Sequence, residues 1–144
     1  MTIHTADVYI RDTGTIKGRG AFAARAHAEG EVVERCPVLL FEGSFSSVPD
    51  AVRQVLFNWG VLAGARHAHC LALGYGSLYN HANPANMRYE ADAAARVLQF
   101  VAVRHIDADE ELTINYNAVG GGHVSDQDTW FDGMGVPVFD DKPA

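Results

Sequence analysis

Hydrophobic and polar positions along this chain fall mostly into short runs, and only one stretch has a helical period. "DVYI" (7–10) reads as a short strand, and "DTGTIKGRGAF" then brings glycines at 14, 18 and 20, a loop that re-enters a strand. "HAEGEVVERCPVLLF" predicts a turn at Gly30 followed by β-rich sequence. Residues 50–62, "DAVRQVLFNWGVL", place Val52, Val55, Leu56 and Trp59 on one apolar stripe, the pattern of a helix, with Asp50 after Pro49 positioned to cap it. "HCLALGYGSLYN" predicts a strand and tight turns. "RVLQFVAVRHI" (96–106) is nearly continuous in apolar residues, as in a strand buried on both faces. In "EELTINYN" (110–117), Leu112, Ile114 and Tyr116 share one strand face, with Thr113 and Asn115 opposite. From 118 onward the sequence is loop-like, yet Trp130, Phe131 and Phe139 predict a docked tail. Many short strands, one main helix and long connections predict a β-dominated α+β fold.

The length of 144 residues fits one domain, 1–144. At this size a fold buries roughly 70% of the surface exposed by the unfolded chain, enough for a core without staples. The formal charge of −7 argues against nucleic-acid binding through a basic surface and suits a basic partner. Cys36 and Cys70 are too few for a disulfide scaffold or a four-cysteine zinc site, and read as core thiols. "RHAHC" (66–70) offers His67, His69 and Cys70 as metal ligands. Histidines two apart share a strand face while Cys70 points away, so no metal site is expected. The start lacks a signal-peptide pattern and no stretch of ~18 apolar residues exists, so the expectation is a soluble, cytoplasmic protein with no membrane partner.

Candidate chemistry gathers in three segments: "KGRGAF" (17–22), "GSLYNHANPANMRY" (76–89) and "EELTINYN" (110–117). A close glycine pair such as Gly18 and Gly20 lets backbone approach another group closely. The middle segment packs Asn80, His81, Asn83 and Asn86 around Pro84, an unusual density of shape-specific polar groups even for a turn.

In order, spacing and chemistry the three segments resemble the SET-domain family of protein lysine methyltransferases, from about Gly18 to Asn117. The first is similar to the family's Gly-x-Gly element, the second to its Asn-His motif with a following Pro-Asn, the third to its Glu-Leu-x-x-Asp-Tyr motif. Two departures stand out. Pro84 sits one position early, with Ala85 in the family's proline place, and Asn115 replaces the aspartate. The resemblance implies a β-clip of short strands with a C-terminal pseudoknot, a core over about 7–117 and a closing segment over about 118–144. It implies S-adenosylmethionine as cofactor, held by Gly18, Arg19, Gly20, Asn80, His81 and Trp130. Tyr116 would be the catalytic tyrosine, seconded by Tyr89, and Tyr75, Tyr89 and Phe131 would line the substrate channel, with Tyr79 a further aromatic candidate. No metal is implied, since the zinc-binding tail of some members needs cysteines and none follow Cys70. "DADEE" (107–111) resembles a solvated turn where the family has a glycine, and Asp109 there can tolerate a left-handed backbone. The implied substrate is a lysine-containing basic protein or peptide, and so short a chain could form a homodimer to complete its peptide groove. A SET fold kept as a cofactor- or peptide-binding module would also account for the displaced proline and Asn115. A cofactor-free β-clip protein would leave Asn80, His81 and Tyr116 unexplained.

Overall fold

The computed structural model describes residues 3–42, 45–64, 68–116 and 120. Strands dominate it, as the alternating pattern predicts. β1 (Val8–Asp12) and β2 (Arg19–Ala23) form an antiparallel hairpin closed around the glycine-rich loop. Gly18 has φ +75°, a left-handed conformation that favours glycine, and its carbonyl accepts from the Thr13 amide at 2.8 Å.

After a turn at Gly30, β3 (Val32–Glu42) runs through the middle of a five-stranded sheet. The sheet order is β4 (Leu56–Phe57), β5 (Ala68–Ala72), β3, β8 (Val97–Ala102), β7 (Met87–Asp92), with every neighbouring pair antiparallel. β8 is buried at Val97, Leu98, Phe100, Val101 and Ala102, which explains its nearly unbroken apolar sequence. Cys36 and Cys70 are both buried core thiols.

The helix expected over 50–62 is divided. α1 (Asp50–Arg53) is a single turn with Pro49 at its N-cap, so Asp50 stands in the first turn and not at the cap expected for it. Leu56 and Phe57 then pair with Leu71 and Cys70 as β4, and α2 (Trp59–Ala63) starts afresh. Sheet pairing outweighs helical continuity here, and Asn58 makes the break self-consistent: its side chain accepts from the Val61 amide at 3.1 Å. Gly64, with φ +68°, ends α2. Leu56 and Trp59 of the apolar stripe are still buried, because both arrangements turn them inward.

The last described strand, β9 (Thr113–Ile114), pairs in parallel with β6 (Asn80–His81). The two faces expected for 112–116 are not divided between core and solvent. Leu112, Thr113, Ile114 and Asn115 are all buried, because chain packs against both sides of the segment. Asp109 adopts φ +71° in the turn before it, the left-handed conformation anticipated for that position. Trp130 and Phe131, and all of the docked tail expected from 118 except Gly120, lie outside the described residues. So does His67 of the histidine cluster; His69 stacks on Phe41 with ring centroids 6.5 Å apart.

Candidate active site

Two neighbours hold the segment 109–115. On one side lies β2: the Leu112 amide donates to the Ala21 carbonyl at 2.8 Å, and the Ala23 amide donates to the Glu110 carbonyl at 2.9 Å. On the other side lies β6, with Asn80 opposite Thr113 and His81 opposite Ile114. The glycine-rich, Asn-His and tyrosine segments, far apart in sequence, therefore meet at one crossing.

Asn86 fastens this crossing. Its side-chain amide donates to the Glu111 carbonyl at 2.7 Å and its side-chain oxygen accepts from the Thr113 amide at 2.9 Å. Its own amide donates to the Thr113 hydroxyl at 3.2 Å. One buried side chain thus satisfies main-chain groups that would otherwise lose water without replacement. The crowd of asparagines in the sequence has this physical reason. Both departures from the family pattern fit the same network. The Asn115 amide donates to the Asn83 side-chain oxygen at 3.2 Å, a bond an aspartate carboxylate could not donate. Pro84 follows Asn83 through a cis peptide bond, and Asn86 still reaches its partners.

Of the expected cofactor residues, Gly18, Arg19, Gly20, Asn80 and His81 come together beside the crossing, and Trp130 lies outside the described residues. The Asn80 amide donates to the Arg19 carbonyl at 3.0 Å and to the Glu111 carboxylate at 2.7 Å. The Lys17 ammonium donates to the His81 carbonyl at 2.5 Å. Gly18 has open space where a Cβ would stand, whereas a Cβ at Gly20 would meet the Glu111 carboxylate. The glycine spacing thus serves two purposes, a left-handed turn at 18 and room for a carboxylate at 20. Lys17 and Glu111, with Thr13, Thr15, Ala82 and Pro84 among others, line a cleft of about 300 Å³. That is the lower end of the size range of small-ligand sites, roughly 300–1,000 Å³.

Tyr116 sits at the far end of β9. Its amide donates to His81 Nδ1 at 3.1 Å, which requires a neutral imidazole with its proton on Nε2. Its hydroxyl donates to the Tyr79 carbonyl. Burial, with further contributions from Tyr89 and Glu111, pushes the Tyr116 phenol well above the ordinary tyrosine range. Tyr116 is therefore a neutral hydroxyl with its proton committed to a carbonyl, and not a base waiting for a proton.

Tyr89 packs edge-on to Phe57 at 5.0 Å and tilted to Phe100 at 6.0 Å. Burial first, then Cys70, raises its pKa to about 12. Its amide donates to the carbonyl of Gly120 at 2.6 Å. Tyr75 is half-buried against the core, while the Tyr79 ring is fully buried edge-on to Phe100 at 4.9 Å. The aromatic role considered for Tyr79 thus belongs to the core, and it is the main-chain carbonyl of Tyr79 that reaches the site. Sequence reading missed that carbonyl, the Lys17 contact and the buried Glu34 beneath the turn. Only Glu34 left a signal, an acidic residue inside the apolar run 32–41.

A model of the SET-domain family matches residues 18–117, and the chain belongs to that family. Over 123 residues it is 31% identical to the histone-lysine N-methyltransferase of Schizosaccharomyces pombe described as H3 lysine-37 specific, covering 85% of this chain and 76% of that protein. Among solved structures, a candidate histone methyltransferase of Plasmodium falciparum superposes with a TM-score of 0.61 at 24% identity, covering 77% of this chain and 97% of that one. An active polycomb repressive complex 2 in its basal state gives a TM-score of 0.62 at 22% identity, over 83% of this chain and 17% of that one. The two structural likenesses establish the fold, and the curated relative links the chain to lysine methylation.

Proposed function

We propose that this protein is an S-adenosylmethionine-dependent protein-lysine N-methyltransferase. The observation that carries the reading is the Tyr116 hydroxyl, half-buried, neutral and fixed on the Tyr79 carbonyl at the end of the β6–β9 crossing. We read that crossing as the family's C-terminal pseudoknot.

The groups beside the crossing suit the cofactor. S-adenosylmethionine carries an amino group, a carboxylate and an adenine edge. The site gathers the Glu111 carboxylate, the Lys17 ammonium, the Asn80 amide and the Arg19 carbonyl. Such a mixed set matches a zwitterion better than a metal ion, which would need converging anionic or imidazole ligands. The bound cofactor supplies an electrophilic methyl group on a sulfonium.

The chain's own residues then have two tasks. The first is to hold a lysine amine in line and exclude water, and fixed geometry of this kind supplies much of a rate enhancement. Tyr89, backed by Phe57 and Phe100, would form an apolar wall for that purpose. The second is to keep the amine neutral, since free lysine has a pKa of about 10.4. An apolar channel disfavours the ammonium form. Because Tyr116 donates its proton to the Tyr79 carbonyl, its oxygen would face the amine N–H as an acceptor and set the direction of attack.

The acidic chain suits a basic, lysine-rich protein substrate, and the name of the yeast relative makes histone H3 the first to test. The test is to incubate the purified protein with core histones and methyl-labelled S-adenosylmethionine, and to locate the label by mass spectrometry. Saturable cofactor binding with transfer to a lysine supports the reading. A folded protein that binds no cofactor and labels no basic substrate overturns it.

A further inference from the structure

β3 carries a carboxylate into the core. Glu34 shares its inward face with Cys36 and Val38 and is buried. Buried carboxylates usually face a cation, but the partners here are hydrogen-bond donors from one short turn. Glu34 Oε2 accepts from the Tyr75 amide at 3.0 Å, and Oε1 accepts from the Tyr79 hydroxyl at 2.8 Å. The two oxygens therefore grip both ends of the 3₁₀ turn Gly76–Leu78.

The fit around the carboxylate is close. A Cβ on Gly74 would stand 2.7 Å from Glu34 Oε2, at a φ of +77° that already favours glycine. A Cβ on Gly76 would stand 2.7 Å from the Ala72 Cβ and 3.0 Å from the Phe100 ring. The turn is thus pressed against β5 and β8 and tied to β3 by one side chain. Its last residue, Tyr79, presents the carbonyl that accepts the Tyr116 hydroxyl.

We infer that Glu34 is a positioning residue for methyl transfer: by holding the Tyr75–Tyr79 turn it fixes the Tyr79 carbonyl, and through it the direction of the Tyr116 hydroxyl. Glu34 touches neither substrate nor cofactor in this scheme. The inference rests on the proposed methyltransferase reading for its catalytic consequence, but its structural half, from Glu34 through Tyr79 to Tyr116, stands apart from that reading.

The experiment uses the full chain with Glu34→Gln, Glu34→Ala and Tyr79→Phe. Tyr79→Phe removes the donor to Glu34 while keeping the carbonyl, so it tests the link even if Glu34→Ala fails to fold. Tyrosine labelled with ¹³C at Cζ, assigned with Tyr116→Phe, reports the Tyr116 hydroxyl directly. The expected result is a displaced Tyr116 signal in Tyr79→Phe and in the folded Glu34 variants. Turnover should fall about 10- to 100-fold, as small misplacements in an active site do. S-adenosylmethionine affinity should fall less than turnover, because the Asn80 side chain keeps its bonds to Arg19 and Glu111. A Tyr116 signal unchanged in folded Tyr79→Phe and Glu34→Gln would overturn the inference, whatever the enzyme's activity. A displaced signal together with wild-type turnover would overturn its catalytic half. An inactive wild-type protein would count against the methyltransferase reading, and the Tyr116 signal would still decide the positioning.

Discussion

The Glu111 carboxylate lies directly over Gly20: a Cβ built on that glycine would stand 2.4 Å from Glu111 Oε2. The same oxygen accepts from Asn80, so the glycine, the glutamate and the asparagine form one unit drawn from all three motif segments. Gly20→Ala should push the carboxylate aside and break its bond to Asn80. The end of a flexible side chain can move, so the stability cost should be modest, about 1–2 kcal/mol. Cofactor affinity should fall much further. Thermal unfolding and calorimetric titration with S-adenosylmethionine measure the two effects separately. In a Glu111→Ala background the alanine should cost little more, and a full additional cost there would show that another clash dominates.

Gly76→Ala provides the contrast. Its Cβ would meet the Ala72 Cβ and the Phe100 ring, neither of which has a flexible end to swing away. Overpacking of this kind costs about 1–3 kcal/mol. We expect Gly76→Ala to destabilise more than Gly20→Ala in urea unfolding at unchanged m-value, and the reverse ranking would contradict this account of the two glycines.

Asn86→Ala should be among the most damaging single changes outside the apolar core. It strands the Glu111 carbonyl and the Thr113 amide, both inside the crossing. Each buried group left without a partner costs about 1–3 kcal/mol. Asn86→Asp can still accept from Thr113 but cannot donate to Glu111, so it should fall between wild type and alanine. Equal stability of Asn86→Ala and wild type in denaturant titration would mean that water replaces the clamp.

Tyr116→Phe removes the hydroxyl and keeps the ring against His81, whose centroid lies 5.4 Å away. Turnover should drop about 100-fold, or the number of methyl groups added should change, because the amine loses its acceptor. Cofactor binding should persist, since Asn80 and the glycine loop are unaltered. Single-turnover kinetics with intact-mass analysis reads both quantities, and unchanged rate and product state would remove Tyr116 from the mechanism.

The strands and the three motif segments were legible because alternation and motif spacing are local. The β-rich architecture and the turn at Gly30 followed from such patterns, and the left-handed Asp109 from the family resemblance, which has a glycine at that place. The division of 50–62 did not, because Val52, Val55, Leu56 and Trp59 satisfy a helical stripe equally well. Only the pairing of Leu56 and Phe57 with β5 decides against one continuous helix, and that is a long-range contact. Likewise Thr113 and Asn115 read as the polar side of a strand. Their burial depends on Asn86 and Asn83, roughly thirty positions earlier, donating and accepting across the crossing. The Tyr79 carbonyl left no trace in the sequence, since a main-chain acceptor has no residue type.

Glu34 makes a signed prediction about pH. Burial raises its pKa above the ordinary 4.5, with the Tyr75 amide and Tyr79 hydroxyl pulling the other way and His4 adding a small favourable charge. A carboxyl whose folded pKa is raised stabilises the fold fully below its unfolded pKa and loses that contribution as pH rises through the folded value. Groups with lowered values act oppositely: Glu110, held down chiefly by Arg104, and Asp92, held down by the Ala95 amide and Arg35, lose their contribution as pH falls. The raw stability profile therefore mixes both signs. The difference between wild type and Glu34→Gln removes the shared groups. Wild type should lose stability relative to Glu34→Gln as pH is raised from below 4.5 towards neutrality, and the difference should level off once Glu34 has ionised. Urea titrations of both proteins at stepped pH measure it. A difference that stays flat across that window would mean that the two hydrogen bonds to Glu34 and the charge of His4 offset its burial in full, and a difference of opposite slope would mean that they exceed it.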